Sequence, residues 1–237
     1  MELGKKNFKI INMSRKVNFI GIGAQKAGTS WLAEALNEHP EIYIHKKKEA
    51  HYFNRRRFFI NTFHYERSFR PKKQEKIIGE ITPSYISDKK VAKRIYNYNP
   101  SIKIIAILRD PTDRCVSQYR MEMKRGTIEK NENIWDAFIN DLPKYGPMRE
   151  RGYYKQQLDR YYKLFNKEQI LILDYNELRD SPEDFIKKAY NFLNVDKKFL
   201  PNCLTKRIRH KKDIPGEIQI DKKDIEKIRK HYQESNL

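Results

Sequence analysis

Apolar positions fall along this chain in two rhythms. Short unbroken runs rich in isoleucine, valine and leucine alternate with longer stretches where apolar residues recur every three or four positions. The runs predict buried parallel strands over Val17 to Ile22, Ile42 to Ile44, Ile77 to Ile81, Ile102 to Leu108 and Ile170 to Leu173. The spaced stretches predict amphipathic helices. The first spans Gly28 to Asn37 and carries Trp31, Leu32, Ala35 and Leu36. It ends at Glu38-His39-Pro40, because the residue before a proline avoids the helical region. A helix carrying Val91, Ala92 and Ile95 is expected behind an Asp88 cap, and another from about Thr112 to Lys124. Further helices are marked by Trp135, Phe138 and Ile139, by Tyr154, Leu158, Tyr161 and Phe165, and by Phe185, Ile186, Ala189 and Phe192, with a last one over residues 221–233. Residues 1–16 read as a mobile basic tail, 54–73 as irregular chain or short helices, and 194–216 as basic loop. Strands alternating with helices predict an α/β fold, a P-loop-like three-layer sandwich whose central, mainly parallel sheet is flanked by helices. With no repeat or linker to divide it, the chain of 237 residues is expected to form one domain with a full core.

Composition limits the partners. Charged residues make up 34% of the chain and the formal net charge is +19, which implies attraction to polyanions: nucleic acid, anionic glycan, anionic membrane or a multiply charged nucleotide. The lysines are spread over the whole length, so charge alone does not choose among these. Cys115 and Cys203 are the only cysteines, which excludes a disulfide framework and a paired-cysteine metal site while leaving one bridge open. The first sixteen residues lack the apolar core of a signal peptide, and no run approaches the roughly 20 apolar residues of a membrane span. A cytoplasmic protein is the expectation.

The candidate chemistry begins where the first strand meets the first helix. A strand, a glycine-bearing turn and a helix N-terminus form an anion site, because unpaired N–H groups and the positive end of the helix dipole meet there. Gly23 and Gly28 have the spacing of a Walker A loop, but Thr29 and Ser30 follow where that loop places lysine and a magnesium-binding hydroxyl. The lysine, Lys26, lies inside the turn instead. The loop can still cradle an anion, without the metal-dependent triphosphate arrangement. Taken alone, the stretch also fits an arbitrary glycine turn. At the end of the Ile102–Leu108 run stands Arg109, with Ser117 two helical turns further on and facing back. A guanidinium and a hydroxyl suit a phosphate monoester. Two plainer readings stay open: Arg109 pairs with Asp110 or Asp113, or Asp110 serves as a Walker B carboxylate.

Gln25-Lys26-Ala27-Gly28-Thr29-Ser30 resembles the 5′-phosphosulfate loop of sulfotransferases that use 3′-phosphoadenosine 5′-phosphosulfate (PAPS), and Ile104 to Ser117 resembles their 3′-phosphate segment. The segments Glu49 to Phe53, Gly79 to Tyr85, Arg94 to Pro100, and Tyr153 to Leu158 followed by Ile170 to Tyr175 are similar to the heparan sulfate, or glycosaminoglycan, branch of that family. The likeness covers about residues 17–195 in one order. It implies that Lys26, Ala27, Gly28, Thr29, Ser30 and Trp31 bind the 5′ end of PAPS, and Arg109 and Ser117 its 3′-phosphate. It further implies Glu49 as general base, assisted by His51, and Lys26 as the cation that meets charge on the leaving oxygen without a metal. From Lys46-Lys47-Lys48-Glu49 alone, a solvated charged loop is the plainer reading.

The chain departs from that branch at three places. Ile81 stands where the glycosaminoglycan enzymes carry lysine; their late Lys-Gly-Arg loop is not recognisable, leaving Lys206, Arg207, Arg209, Lys211 and Lys212 as substitutes; and the chain stops earlier. The expected activity is sulfuryl transfer to a hydroxyl or amine, with a saccharide, and an anionic one, among the candidate acceptors. Two other classes compete: a metal-dependent P-loop kinase or NTPase, and a non-enzymatic polyanion-binding protein. The sequence holds no RNA-binding or helix-turn-helix motif for the last, and it leaves oligomeric state open.

Overall fold

The computed structural model describes residues 16–55, 62–129, 131–141, 146–204 and 218–235. Five strands, β1 (Phe19–Gly23), β2 (Ile42–Ile44), β3 (Ile77–Ile81), β4 (Lys103–Leu108) and β5 (Ile170–Asp174), form one sheet in the order β2-β3-β1-β4-β5. Every pairing is parallel. Such a sheet is covered on both faces, which is why its strands are apolar runs without alternation: all five residues of β1 and the middle four of β4 are buried. The helices are α1 (Thr29–Glu38), α2 (Thr62–Arg67), α3 (Val91–Tyr98), α4 (Pro111–Arg125), α5 (Ile134–Asn140), α6 (Tyr154–Tyr162), α7 (Tyr175–Asp180), α8 (Pro182–Leu193) and α9 (Lys222–Glu234).

The chain runs from β1 out to β2, returns through β3, and only then crosses to β4 on the far side of β1. The order therefore reverses between β1 and β4. In open α/β sheets, ligands bind beyond the carboxyl ends of the strands at such a reversal. The loops after β1 and β4 are those that carry Lys26 and Arg109. Fold and candidate site thus agree on one crevice.

The main core gathers the sheet with α1, α3 and α8. A second apolar cluster, including Cys115, Tyr119, Phe138, Met148, Ile228 and Tyr232, ties α4 to α5 and α9. Cys115 lies in the second cluster and Cys203 in the first; both are buried free thiols, so the bridge left open by composition is not formed. Burial drives the Cys115 thiol up to about 11, which keeps it protonated and unreactive at neutral pH.

The predicted elements stand with small shifts. Phe165 falls just beyond α6. The cap assigned to Asp88 is corrected: Lys90 occupies the cap position of α3, and Asp88 Oδ1 accepts the Lys90 N–H at 2.8 Å, closing a turn one step earlier. The excursion after residue 54 contains α2. Residues 1–15 of the basic tail and 205–217 of the late basic loop lie outside the described residues, as do Arg56 and Arg57. Among the described residues no helix is long and apolar enough to cross a membrane.

Candidate active site

The crevice is built from the end of β1. The register of β1 against β4 shifts between Gly21 and Gly23, and the Ala24 N–H reaches Ile107 O at 2.7 Å as the chain turns away. Gly28 closes the turn and caps α1 at φ 89. A Cβ there would lie 2.4 Å from Leu178 Cδ2 on α7, so both the backbone angle and the space require glycine. Gly28→Ala is expected to cost at least ~1–2 kcal/mol of stability from the left-handed backbone alone, read as a lower urea midpoint at unchanged slope.

Within the turn, the N–H groups of Gln25, Lys26, Gly28, Thr29 and Ser30 take no partner among the described residues, whereas Ala24, Ala27 and Trp31 are bonded to backbone carbonyls. Free donors at a helix N-terminus suit an anion. Lys26 sits at φ 70 with Nζ 3.7 Å from Met121 Sδ. Its ammonium pKa is lowered, first by burial and then by Arg125 and Arg109 nearby. The site therefore concentrates positive charge before any ligand arrives.

Arg109 joins the two halves of the crevice. Its Nη1 donates to Lys26 O at 3.1 Å, and its guanidinium lies 4.5 Å from the ring centroid of Tyr175, the first residue of α7. A guanidinium has five N–H donors. One is used by Lys26, and the buried Nε has no partner among the described residues. The ion-pair reading of Arg109 does not hold among the described residues: no ion pair to Arg109 occurs there, and Asp110 Oδ1 accepts the Asp113 N–H at 2.9 Å and caps α4. Ser117 is half-buried on α4, and its hydroxyl makes no side-chain hydrogen bond among the described residues. Ala27 is fully buried, and Trp31, 8% exposed, packs edge-on against Phe185 with its Nε1 unpartnered among the described residues.

The chain after β2 brings the carboxylate side. Lys48 Nζ donates to Ser30 Oγ, tying this loop to the first turn of α1. Burial lowers the Lys48 pKa while Glu49 opposes the shift. Glu49 Oε2 lies 3.1 Å from His51 Nε2, and both side chains are more than two-fifths exposed, at 42% and 44%. Asn54 Nδ2 approaches His51 Nδ1 at 3.2 Å and donates to Ser84 Oγ at 3.1 Å. An amide donor on Nδ1 leaves the ring proton on Nε2, directed at Glu49.

The residues predicted from sequence thus connect: the turn to Arg109 through Lys26 O, and the turn to Glu49 and His51 through the Lys48–Ser30 contact. Lys206, Arg207, Arg209, Lys211 and Lys212 lie outside the described residues. Sequence reasoning missed Lys48, Tyr175 and Arg151. Lys48 adjoins Glu49, and Tyr175 follows β5 at the same sheet edge as Arg109, so strand-end position could have flagged both. Arg151 donates through Nη1 to Gln25 Oε1 at 2.5 Å, and burial brings its pKa down to about 10. No sequence signal marks it. Ile81, in place of the lysine, is fully buried, and its Cγ1 would lie 2.7 Å from a Cβ on Gly21.

The family model described as a sulfotransferase domain matches residues 18–235, and the chain belongs to that family. A heparan sulfate glucosamine 3-O-sulfotransferase 5 from Mus musculus is 32% identical over 182 residues, 73% of this chain and 52% of its own length. The chain spans about half or less of the length of the curated relatives it matches. Among solved structures, a sulfotransferase from Alicyclobacillus acidocaldarius shares the fold with a TM-score of 0.78 at 24% identity, covering 93% of this chain and 92% of that one. A mouse sulfotransferase complexed with PAP shares it at a TM-score of 0.52 and 16% identity, covering 91% of this chain and 64% of that one.

Proposed function

We propose that this protein transfers the sulfuryl group of PAPS to an acceptor hydroxyl or amine. The observation that carries this reading is the Arg109–Lys26 O hydrogen bond, which joins the loops of β1 and β4 into one cationic crevice. The mouse fold neighbour complexed with PAP supports the choice of nucleotide. Among the described residues, the unpaired N–H groups of Gln25, Lys26, Gly28, Thr29 and Ser30 suit the 5′-phosphosulfate, and the donors of Arg109 not used on Lys26 O, with Ser117, suit a 3′-phosphate.

In the proposed step the acceptor heteroatom forms a bond to sulfur as the bond from sulfur to the bridging 5′-phosphate oxygen breaks. The acceptor proton goes to Glu49, which His51 Nε2 orients at 3.1 Å. The electron pair of the broken bond stays on the phosphate, where Lys26 meets the new charge. A saccharide acceptor is the reading supported by the relative's name, a heparan sulfate glucosamine sulfotransferase. The test follows labelled sulfuryl from PAPS onto a panel of saccharide hydroxyls and amines. Labelled product in the presence of EDTA supports the reading, and phosphate transfer from ATP with magnesium instead would replace it.

The lowered pKa of Lys26 and Lys48 has a linked consequence. A bound anionic phosphate favours both ammonium forms and raises their pKa back toward 10.5. The complex then holds more protons than the free protein. Binding of 3′-phosphoadenosine 5′-phosphate is expected to take up protons in alkaline buffer below the ordinary lysine value of 10.5, and to weaken as pH rises there. Calorimetry in two buffers of different ionisation enthalpy measures the uptake, and Lys26→Ala should reduce it.

A further inference from the structure

Glu80 is a fully buried acid in the middle of an apolar sheet, and no part of the proposed reaction uses it. Burying a carboxylate is costly unless hydrogen bonds compensate it. Here they do. Oε1 accepts from Tyr65 OH at 2.8 Å and from Tyr85 OH at 3.1 Å; Oε2 accepts from Thr82 Oγ1 at 2.8 Å and from the Ala50 N–H at 3.2 Å. All four partners act as donors, so the cluster is built for an acceptor-only group.

The same four partners reach one loop. The Ala50 N–H bonds Glu80 directly. The His51 N–H donates to Thr82 Oγ1 at 3.4 Å, and the Phe53 N–H donates to Tyr85 OH at 3.1 Å. The Tyr52 ring stacks on Tyr65 at 4.0 Å, the residue whose hydroxyl bonds Glu80. Each of the four residues after Glu49 is therefore held by Glu80 itself or through one intermediary. The loop needs such a hold, because His51 stands at φ 52, a left-handed conformation that persists only when its surroundings impose it.

We infer that Glu80 is a positioning residue: its carboxylate fixes residues 50–53 so that Glu49 and His51 face the crevice. The inference rests on the proposed role of Glu49. Glu80→Gln turns one acceptor into a donor that faces two donors, and Thr82→Val removes the link to the His51 N–H together with one of the four hydrogen bonds to Glu80. The test uses the full chain and hydrolysis of PAPS, with water as the acceptor, beside calorimetric titration with 3′-phosphoadenosine 5′-phosphate and amide exchange over residues 50–53. Both variants should bind the nucleotide as the wild type does, exchange faster at 50–53, and turn over more slowly. Misplacing a reacting group by an ångström costs about 10²-fold, and Glu80→Gln is expected to approach that loss. Adding Glu80→Gln to Glu49→Gln should lower turnover no further, since the first acts through the second.

Equal losses in the wild-type and Glu49→Gln backgrounds would overturn the inference while leaving sulfuryl transfer standing. So would undiminished turnover in Glu80→Gln. If Glu80→Gln does not fold, Thr82→Val decides by the same comparison. A wild type without turnover sinks the proposed function, and the inference falls with it.

Discussion

Glu49→Gln is expected to lower the turnover of sulfuryl transfer by about 10²- to 10⁴-fold, the range that a single positioned acid–base group contributes. The substitution keeps size and shape, and Glu49 contacts His51 outside the core, so folding and nucleotide affinity should be unchanged. A glutamine cannot take the acceptor proton, but its amide oxygen can still accept from His51 Nε2. The loss should therefore appear in kcat with little change in KM for PAPS, the pattern of a group that acts in the transition state. Steady-state rates at saturating donor measure it. A loss confined to KM would assign Glu49 to binding instead.

Arg109→Ala is expected to weaken binding of 3′-phosphoadenosine 5′-phosphate by a hundredfold or more, since removing one partner of a buried charged pair costs about 2–5 kcal/mol. Adenosine 5′-phosphate, which lacks the 3′-phosphate, should lose far less. Arg109→Lys should recover little, because Arg109 donates to Lys26 O and sits over the Tyr175 ring at the same time. A planar fork can do both and still offer donors to a phosphate, whereas an ammonium cannot. Paired titrations with the two nucleotides separate loss of the 3′-phosphate contact from general damage to the loop.

Much of this architecture was legible in the residues. Strands buried on both faces leave apolar runs, so β1, β3 and β4 stood out, and α1 and α8 followed from spacing. The turn after β1 was visible because Gly23 and Gly28, which flank it, are favoured by backbone angle and packing and leave local traces. The Asp88 cap was misplaced because an aspartate that closes a turn and one that caps a helix have the same local pattern. Contacts between distant segments were the least legible. Arg151 reaches Gln25 across 126 positions, and nothing near either residue announces it. Glu80 looked like one residue of a family-like segment, and its hold on 50–53 emerges only when β3, α2 and that loop are packed together. Ile81 was read as a lost cation; the structure adds that the position is fully buried.

The most direct test of the central claim is a calorimetric titration with 3′-phosphoadenosine 5′-phosphate in EDTA, beside adenosine 5′-phosphate and ATP with and without magnesium. The account predicts metal-independent binding that depends on the 3′-phosphate and falls sharply in Arg109→Ala. Binding of ATP that requires magnesium, with no preference for the 3′-phosphate, would contradict it.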